Sequence, residues 1–393
     1  MPVRVYTSFD ELPESYAEFF HEIERDNFFL SRRWFKNLAS TAIEPDVKIR
    51  LYAVENYDSG AKPLVFLAAL TPAGQDGSIF SNRWIGPRTL SAMTNYQSVQ
   101  FAPLISPSVE NTPDHLRELI SFLCDERPRW SLIDFNLLDP QAHWFKLLAD
   151  QFAAAGMVVR SYFYAGKRFE TTDGLSYQNY IKRRSNNERS GIRRHRRQLE
   201  EGYQVRFEII TGTATTEGLD AAIAAYERVL AASWKEPENF PQYTAGMIRA
   251  CAASQTLRLG LVYVNDEPVA AQIWVVTGGR ATIYKLHYDE RFKRYSVGSI
   301  LTAYLMEHVL DGDGVREVDF GMFDDQHKKA WMSQLRELHG FVAFNPRTMW
   351  GIVALIRFEI GRATRAAINV AKPVLKPGYL LVKRLVTSLN GFL

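Results

Sequence analysis

Apolar and polar positions switch between two periods along the chain, and the order of the switches sets out the expected elements. Asp10 to Glu24 and Ser31 to Thr41 carry apolar residues at helical spacing, the second after Phe28, Phe29 and Leu30. Strand-like runs follow at Val47 to Glu55 and Pro63 to Leu70, joined by the turn-rich Tyr57 to Lys62. Ala73 to Pro87 reads as loop, with Trp84 as a packing residue. A strand at Tyr96 to Ile105, a helix at Pro113 to Asp125, a strand at Trp130 to Leu137, a helix at Ala142 to Ala155 and a strand at Met157 to Ala165 complete the first half. The second half repeats the order. A helix at Tyr177 to Glu201 and a short strand at Gln204 to Ile210 precede helices at Glu217 to Ala232 and Tyr243 to Ala253. A meander of Leu257 to Val264, Pro268 to Val276 and Arg280 to Tyr288 then leads to helix, strand, helix and strand. This order predicts a duplicated α+β unit rather than alternating βα units, although no residue-level repeat is visible.

Candidate chemistry concentrates between Arg280 and Trp331. The strand to Tyr288 alternates, with Tyr284, Leu286 and Tyr288 separated by Lys285 and His287. A charged loop, Asp289 to Val297, leads to Gly298 and Ser299, which open a helix with Leu301, Leu305 and Val309 at helical spacing. Val315 to Phe320 is the next strand, ending at Gly321. A strand feeding a basic, glycine-containing turn at a helix start is a phosphate cradle in outline, because first-turn N–H groups and the helix dipole favour an anion. The dipole supplies only about 0.3 to 1 kcal/mol, so Arg291, Lys293 and Arg294 have to add charge-assisted bonds to a diphosphate. An ordinary capped helix after a solvated loop is the other reading of this spacing.

The stretch resembles the GNAT-type N-acetyltransferases, more closely the branch allied to the Fem-type peptidoglycan aminoacyl ligases and to acetyltransferases of cellulose and exopolysaccharide clusters. In that family an R/Q-x-x-G-x-G/A turn holds the coenzyme A pyrophosphate on its amides; Lys293-Arg294-Tyr295-Ser296-Val297-Gly298 fits, with Ser296 for the first glycine. Further likeness lies in Ser233-Trp234-Lys235-Glu236-Pro237-Glu238, Val318-Asp319-Phe320-Gly321 and Asp324-Asp325-Gln326-His327-Lys328-Lys329-Ala330-Trp331, where relatives usually carry Tyr before the Lys. The resemblance covers Phe169 to Pro346 well and the first half more weakly.

What the resemblance implies is a tandem α+β protein of GNAT-like domains, each a mixed, mainly antiparallel sheet flanked by helices. Residues 1–166 would be a partner domain walling the acceptor cleft, since SPSVENTPDHL after its strand has no basic cluster and would repel a diphosphate. Residues 167–346 would bind acyl-CoA, either acetyl-CoA or a long-chain acyl-CoA, through Arg291, Lys293, Arg294, Tyr295, Ser296, Val297, Gly298 and Ser299, with no metal. The acceptor is expected to be an amine. It must lose a proton as it attacks a thioester, and a positioned base contributes roughly 10² to 10⁴ in rate. His287, Asp319 and His327 are the candidate bases, and Lys328 a contact to donor or acceptor. Trp234, Lys235, Glu238 and Lys285 are placed on the acceptor side. A packed histidine, a structural carboxylate, an exposed helical lysine and a rigid interdomain corner are the plainer readings of the same residues.

Length and composition narrow the partners. The 393 residues suit two domains with separate cores, and 46% hydrophobic with 23% charged residues is a soluble globular balance. Cys124 and Cys251 are the only cysteines, which excludes a disulfide framework and a cysteine-rich zinc site and fits a reducing cytoplasm. The start has no unbroken apolar signal region, and nowhere are there 18 consecutive apolar residues. Net charge is only +3, yet Lys182 to Arg197 holds eight Lys/Arg against Glu188 alone. That run reads as a solvated face or as a surface for lipid headgroups, donor phosphates or an RNA-linked donor.

Beyond Arg347 a tail, residues 347–393, reads as a basic amphipathic segment. A helix over Met349 to Ala371 would set Arg357, Arg362, Arg365 and Asn369 opposite Ile352, Ile356, Ile360, Ala363, Ala367 and Val370, with Glu359 out of place. It would dock on the protein itself or lie in an anionic membrane surface, the cytoplasmic face of the inner membrane. Together these readings point to an acyl-CoA-dependent N-acyltransferase acting on a lipid or envelope amine, such as a sphingoid base. A Fem-like aminoacyl-tRNA-dependent transferase and a non-catalytic envelope or exopolysaccharide assembly factor are the alternatives, and nucleic acid is a partner only in the first of these.

Overall fold

The structure, a computed structural model, describes residues 3–56, 61–72, 86–107, 109, 111–364 and 366. In the first half β1 (Val3–Tyr6) precedes α1 (Ala17–Asp26) and α2 (Arg32–Thr41), followed by β2 (Val47–Asn56), β3 (Lys62–Pro72), β4 (Thr89–Ala92) and β5 (Leu104–Ile105). Then come α3 (Thr112–Asp125), β6 (Leu132–Leu138), α4 (His143–Ala154) and β7 (Val158–Thr171). The second half begins with α5 (Tyr177–Lys182), α6 (Asn186–Gly202), β8 (Val205–Thr211), α7 (Thr216–Ala231) and α8 (Pro241–Ala253). It continues through β9 (Leu257–Val264), β10 (Glu267–Thr277), β11 (Arg280–Tyr288), α9 (Val297–Glu307), β12 (Glu317–Met322), α10 (Gln326–Trp331) and β13 (Gln334–Phe344).

Local chemistry sets many of these boundaries. Ser31, Ser185, Thr215 and Asp325 each accept a hydrogen bond from an N–H in the first turn of the helix they precede. Asn265 and Asp266, at φ +50° and +63°, make the tight β9–β10 turn that their residue types favour. β10 is buried on both faces, because α7 packs on one and α9 on the other.

The strands form one sheet in the order β1-β2-β3-β4-β6-β13-β7-β12-β11-β10-β9-β8, with β5 on β3. β4 pairs with β6 and β11 with β12 in parallel, at equivalent places in the two halves. The final strand of each half crosses over. β13 lies against β6, β7 lies against β12, and β7 and β13 pair from Val158↔Phe344 to Phe169↔Gln334. The expected tandem, mainly antiparallel α+β architecture is therefore present as a continuous sheet. One apolar cluster spans the halves, joining Trp34, Phe66 and Phe135 to Tyr226, Met247 and Ile273; the other, with Trp274 and Leu301, lies under α9. The β10–β11 turn is also tied to the first half. A Cβ on Gly278 would come within 2.2 Å of the Asp26 carbonyl oxygen, so only glycine fits that approach.

Several expected elements differ. Tyr96 to Ile105 is a strand only at Leu104–Ile105, because its N–H groups serve local turns and β6, as in Ser98 N–H to Asn95 O at 3.0 Å and Phe101 N–H to Leu137 O at 2.9 Å. The helix expected over Tyr177 to Glu201 is broken at residues 183–185, where Ser185 caps α6. Asp10 to Glu24 becomes a short 3₁₀ turn, Glu14–Tyr16, and α1. The loop Asp289 to Val297 contains a 3₁₀ turn, Glu290–Tyr295. β1 and β4, four residues each, are too short to show a period.

The tail is helical over residues 349–364. Ile352, Ile356 and Ile360 are exposed, while Glu359, the misfit in the amphipathic pattern, pairs with Arg160 of β7 at 2.5 Å. Trp84, Arg365, Ala367, Asn369, Val370 and the segment beyond lie outside the described residues. Among the described residues no helix is long and apolar enough to cross a membrane.

Candidate active site

β11 and β12 pair over three positions only, Arg280↔Glu317, Ala281↔Val318 and Thr282↔Asp319. Both strands then run on, to Tyr288 and Met322, without a ladder between them. Gly321, at φ +67°, turns β12 aside, and a Cβ there would meet the Ile283 carbonyl oxygen at 3.1 Å. The gap holds two cavities. One, of about 460 Å³, is lined by Trp234, Leu286, Tyr288, Lys293, Ser296, Gly298, Ser299, Asp325 and His327. The other, of about 370 Å³, takes in Lys235, Glu236, Glu238, Lys285, His287, Phe320 to Phe323 and Lys328, with Tyr96 to Val99 from the first half. Leu286 lines both.

The first cavity opens on the start of α9. Ser296 is left-handed, at φ +51° and ψ 40°, so the serine standing in the first glycine position of the cradle pattern adopts a glycine-like conformation. Ser299 and Ile300 give their N–H groups to the Ser296 carbonyl at 2.9 and 3.1 Å, which leaves those of Val297 and Gly298 as first-turn donors. Gly298 lies close against β11, where a Cβ would touch the Tyr288 ring at 3.1 Å.

The cations around this turn divide. Lys293 lines the cavity, 3.4 Å from Glu290. Arg291 is engaged by Asp289 at 2.7 Å, and Arg294 by the Tyr295 hydroxyl at 2.8 Å, with Tyr295 packed against Tyr203. Of the eight cradle residues, Lys293, Ser296, Gly298 and Ser299 face the cavity; the Arg291, Arg294, Tyr295 and Val297 side chains do not line it.

Around the second cavity, Lys235 Nζ donates to the Leu286 carbonyl at 2.8 Å on the β11 lip of the gap. Lys328 Nζ donates to the Met322 carbonyl on the β12 lip. Lys285 pairs with Glu238 and lies 3.0 Å from Thr244 Oγ1. Lys235 is an exposed residue, yet desolvation and the charges of Lys285 and Lys328 lower its pKa to about 8, with Glu238 opposing. Lys285 and Lys328 are lowered as well, burial first.

The candidate bases sit in three different settings. His287 is buried with Nε2 at 2.8 Å from the Tyr226 hydroxyl and Nδ1 without a partner. Burial, then Lys235 and Lys285, push its pKa down to about 2. Asp319 is fully buried, paired with Lys167 at 2.7 Å and accepting the Gly321 N–H at 2.7 Å. Burial raises it, yet Lys167, Gly321 and Arg280 together hold it below the ordinary carboxylate value. Its side chain does not line either cavity, which sets it apart from the histidines. His327 lines the first cavity with its ring edge-on to Phe320 at 5.5 Å, and crowding lowers its pKa.

Sequence reasoning missed Lys167, Tyr226 and Gln97. Lys167 lies within an alternating strand and Tyr226 on the apolar face of a helix, so neither pattern marks them. Gln97 lies in a segment read as strand.

Residues 186–329 match the family described as acetyltransferase (GNAT) domain. The chain carries a GNAT-type N-acyltransferase domain. The matched span runs from α6 to α10 and includes every residue lining the 460 Å³ cavity of that GNAT domain. Among solved structures, FemX is similar over 90% of this chain and 100% of its own, with TM-score 0.59 and 11% identity. L-PGS from Bacillus licheniformis is similar over 89% of this chain and 97% of its own, with TM-score 0.51 and 14% identity. These are likenesses of fold alone. No curated protein matches the chain.

Proposed function

We propose that the protein transfers an acyl group from a coenzyme A thioester to an amine, with the donor in the 460 Å³ cavity and the acceptor in the 370 Å³ cavity. The observation that carries this reading is the meeting of the two cavities at Leu286, where β11 and β12 part. The residues fit a coenzyme A pyrophosphate: the Val297 and Gly298 N–H groups at the positive end of α9, the Ser299 hydroxyl and Lys293 would hold it. When bound, the thioester supplies the electrophilic carbonyl. The chain's own part is to seat the amine and remove its proton.

Lys235 is the side chain best matched to that proton. A pKa of about 8 leaves a neutral fraction near neutrality, and its Nζ lies at the β11 lip of the gap. The charged groups facing it are Lys285, Lys328, Glu236 and Glu238. His287, pushed to about 2, is too weak a base, and its neutral ring serves as a hydrogen-bonding wall. The first half walls the acceptor side through Tyr96, Gln97, Ser98 and Val99.

Titration calorimetry with coenzyme A tests the donor site. Binding to the wild type that weakens about tenfold in Lys293→Ala, and little in Arg294→Ala, is expected from one charge-assisted contact. Absence of binding to the wild type would overturn the donor assignment. For the acceptor side, Lys235→Met should lower kcat by roughly 10² to 10⁴ and abolish the rise of activity through about pH 8 that deprotonation of Lys235 produces.

A lipid or envelope amine is the acceptor class favoured by the tail. Ile352, Ile356 and Ile360 are exposed on one side of the tail helix and Arg357 and Arg362 on the other, as on a helix lying in an anionic membrane surface on the cytoplasmic side. The fold likeness to FemX favours a second reading, an aminoacyl-tRNA donor, in which ribonuclease would abolish activity.

A further inference from the structure

The 370 Å³ cavity is supplied with donors and short of free acceptors. Its two strand-lip carbonyls, Leu286 O and Met322 O, are taken by Lys235 and Lys328. Glu238 is held by Lys285 and by the Thr244 hydroxyl at 2.6 Å. Glu236 stands at the exposed rim. Among the described residues, neither Lys235 nor Lys328 has a carboxylate within ion-pair distance. Two further polar groups in this wall are buried without partners. Gln97 is 6% exposed and its Nε2 has no acceptor, because its Oε1 faces the Tyr284 hydroxyl at 3.4 Å. His287 is 2% exposed with Nδ1 unpaired. Its Nε2 shares a hydrogen bond with the Tyr226 hydroxyl at 2.8 Å, in which either atom can donate, so Nδ1 is the free ring position in either tautomer. An unpaired amide donor beside two ammonium groups that lack a carboxylate partner calls for a ligand rich in acceptors.

We propose that the acceptor amine carries an anionic group, a carboxylate or a phosphate ester, seated between Lys328 on the β12 lip and Gln97 on the first-half wall. This rests on the assignment of the 370 Å³ cavity to the acceptor. The anion neutralises the Lys328 ammonium and fills the unpaired Gln97 amide, and Lys235 is left to face the amine end. Recognition then needs both halves, with the first contributing an amide and the second the charge.

The test is titration of O-phosphoethanolamine, glycine and ethanolamine into the full-length protein, with coenzyme A titrated in parallel. Either anionic amine should bind at millimolar concentration or better, and ethanolamine should not. Lys328→Met should weaken the anionic probe about tenfold and leave coenzyme A affinity unchanged, and Lys328→Arg should restore it. Tighter binding of O-phosphoethanolamine than of glycine identifies a phosphate ester; the reverse identifies a carboxylate. Ethanolamine binding as tightly as the anionic pair, no binding of either anion, or indifference to Lys328→Met overturns the proposal while coenzyme A still binds. Loss of coenzyme A binding by the wild type would count against the donor site instead. Protection of Lys328 from acetic anhydride by the anionic probe, read by mass spectrometry on folded wild type, keeps the proposal testable if the variants do not fold.

Discussion

β4 and β6 in the first half, and β11 and β12 in the second, make the same parallel pairing over three positions. The third pair is Ser91↔Asp134 in one and Thr282↔Asp319 in the other. Ile133-Asp134-Phe135-Asn136-Leu137 thus stands where Val318-Asp319-Phe320-Gly321-Met322 stands, a residue-level echo hidden until the register aligns it. Beyond that pair the halves part. β4 stops at Ala92, and the returning chain donates the Phe101 N–H to Leu137 O at 2.9 Å and sets the Phe101 ring 5.9 Å from Phe135. β11 runs on to Tyr288, and the space opposite β12 stays open. A shared framework gives a site in one half and packing in the other, according to what enters the gap.

The paired acids offer the hardest break. Asp319→Asn strands the buried Lys167 ammonium and should cost about 3 to 5 kcal/mol in denaturant unfolding. Among the described residues the Asp134 side chain accepts from the Tyr162 hydroxyl alone, at 2.8 Å, a bond an asparagine also accepts, so Asp134→Asn should stay within about 1 kcal/mol. Their pH slopes oppose. Asp319 is lowered on folding, so its contribution is complete above about pH 4 and is lost as pH falls through its folded value. Asp134 is raised by burial, so acid relieves a cost there instead. Equal losses in both variants at neutral pH would erase the distinction.

A smaller effect comes from the turn of β12. Gly321→Ala places a side chain at φ +67° and against the Ile283 carbonyl, with about 1 to 2 kcal/mol of strain expected and weaker coenzyme A binding. Thermal unfolding and calorimetry would separate the two. In the first half the left-handed residue is Leu137, at φ +59°, one position beyond Asn136, the counterpart of Gly321. Ser296→Gly should change least, raising stability by no more than about 1 kcal/mol with coenzyme A affinity unchanged.

Long periodic segments were legible in the sequence. The meander strands Leu257–Val264 and Arg280–Tyr288 fall where alternation predicts them, and the turn before α9 stands out through its charges and Gly298. What sequence could not show was set by distant partners. That Asp289 engages Arg291 and the Tyr295 hydroxyl engages Arg294 is visible only in the folded turn. Tyr96 to Ile105 has strand composition, but its N–H groups are used elsewhere. His287 has the right residue type and position for a base, and only burial beside Lys235 and Lys285 takes that capacity away. Glu359 looks like a fault in an amphipathic stripe until Arg160 is seen beside it.

The crossed strands bear on how this chain can be divided. Separating the halves would take β13 from β6 and β7 from β12, leaving each fragment with a bare, adhesive edge where an internal ladder belongs. Neither piece alone would carry the hydrogen-bonding partners its sheet was built around, so the ladder beside β6 is complete only once synthesis has reached Phe344.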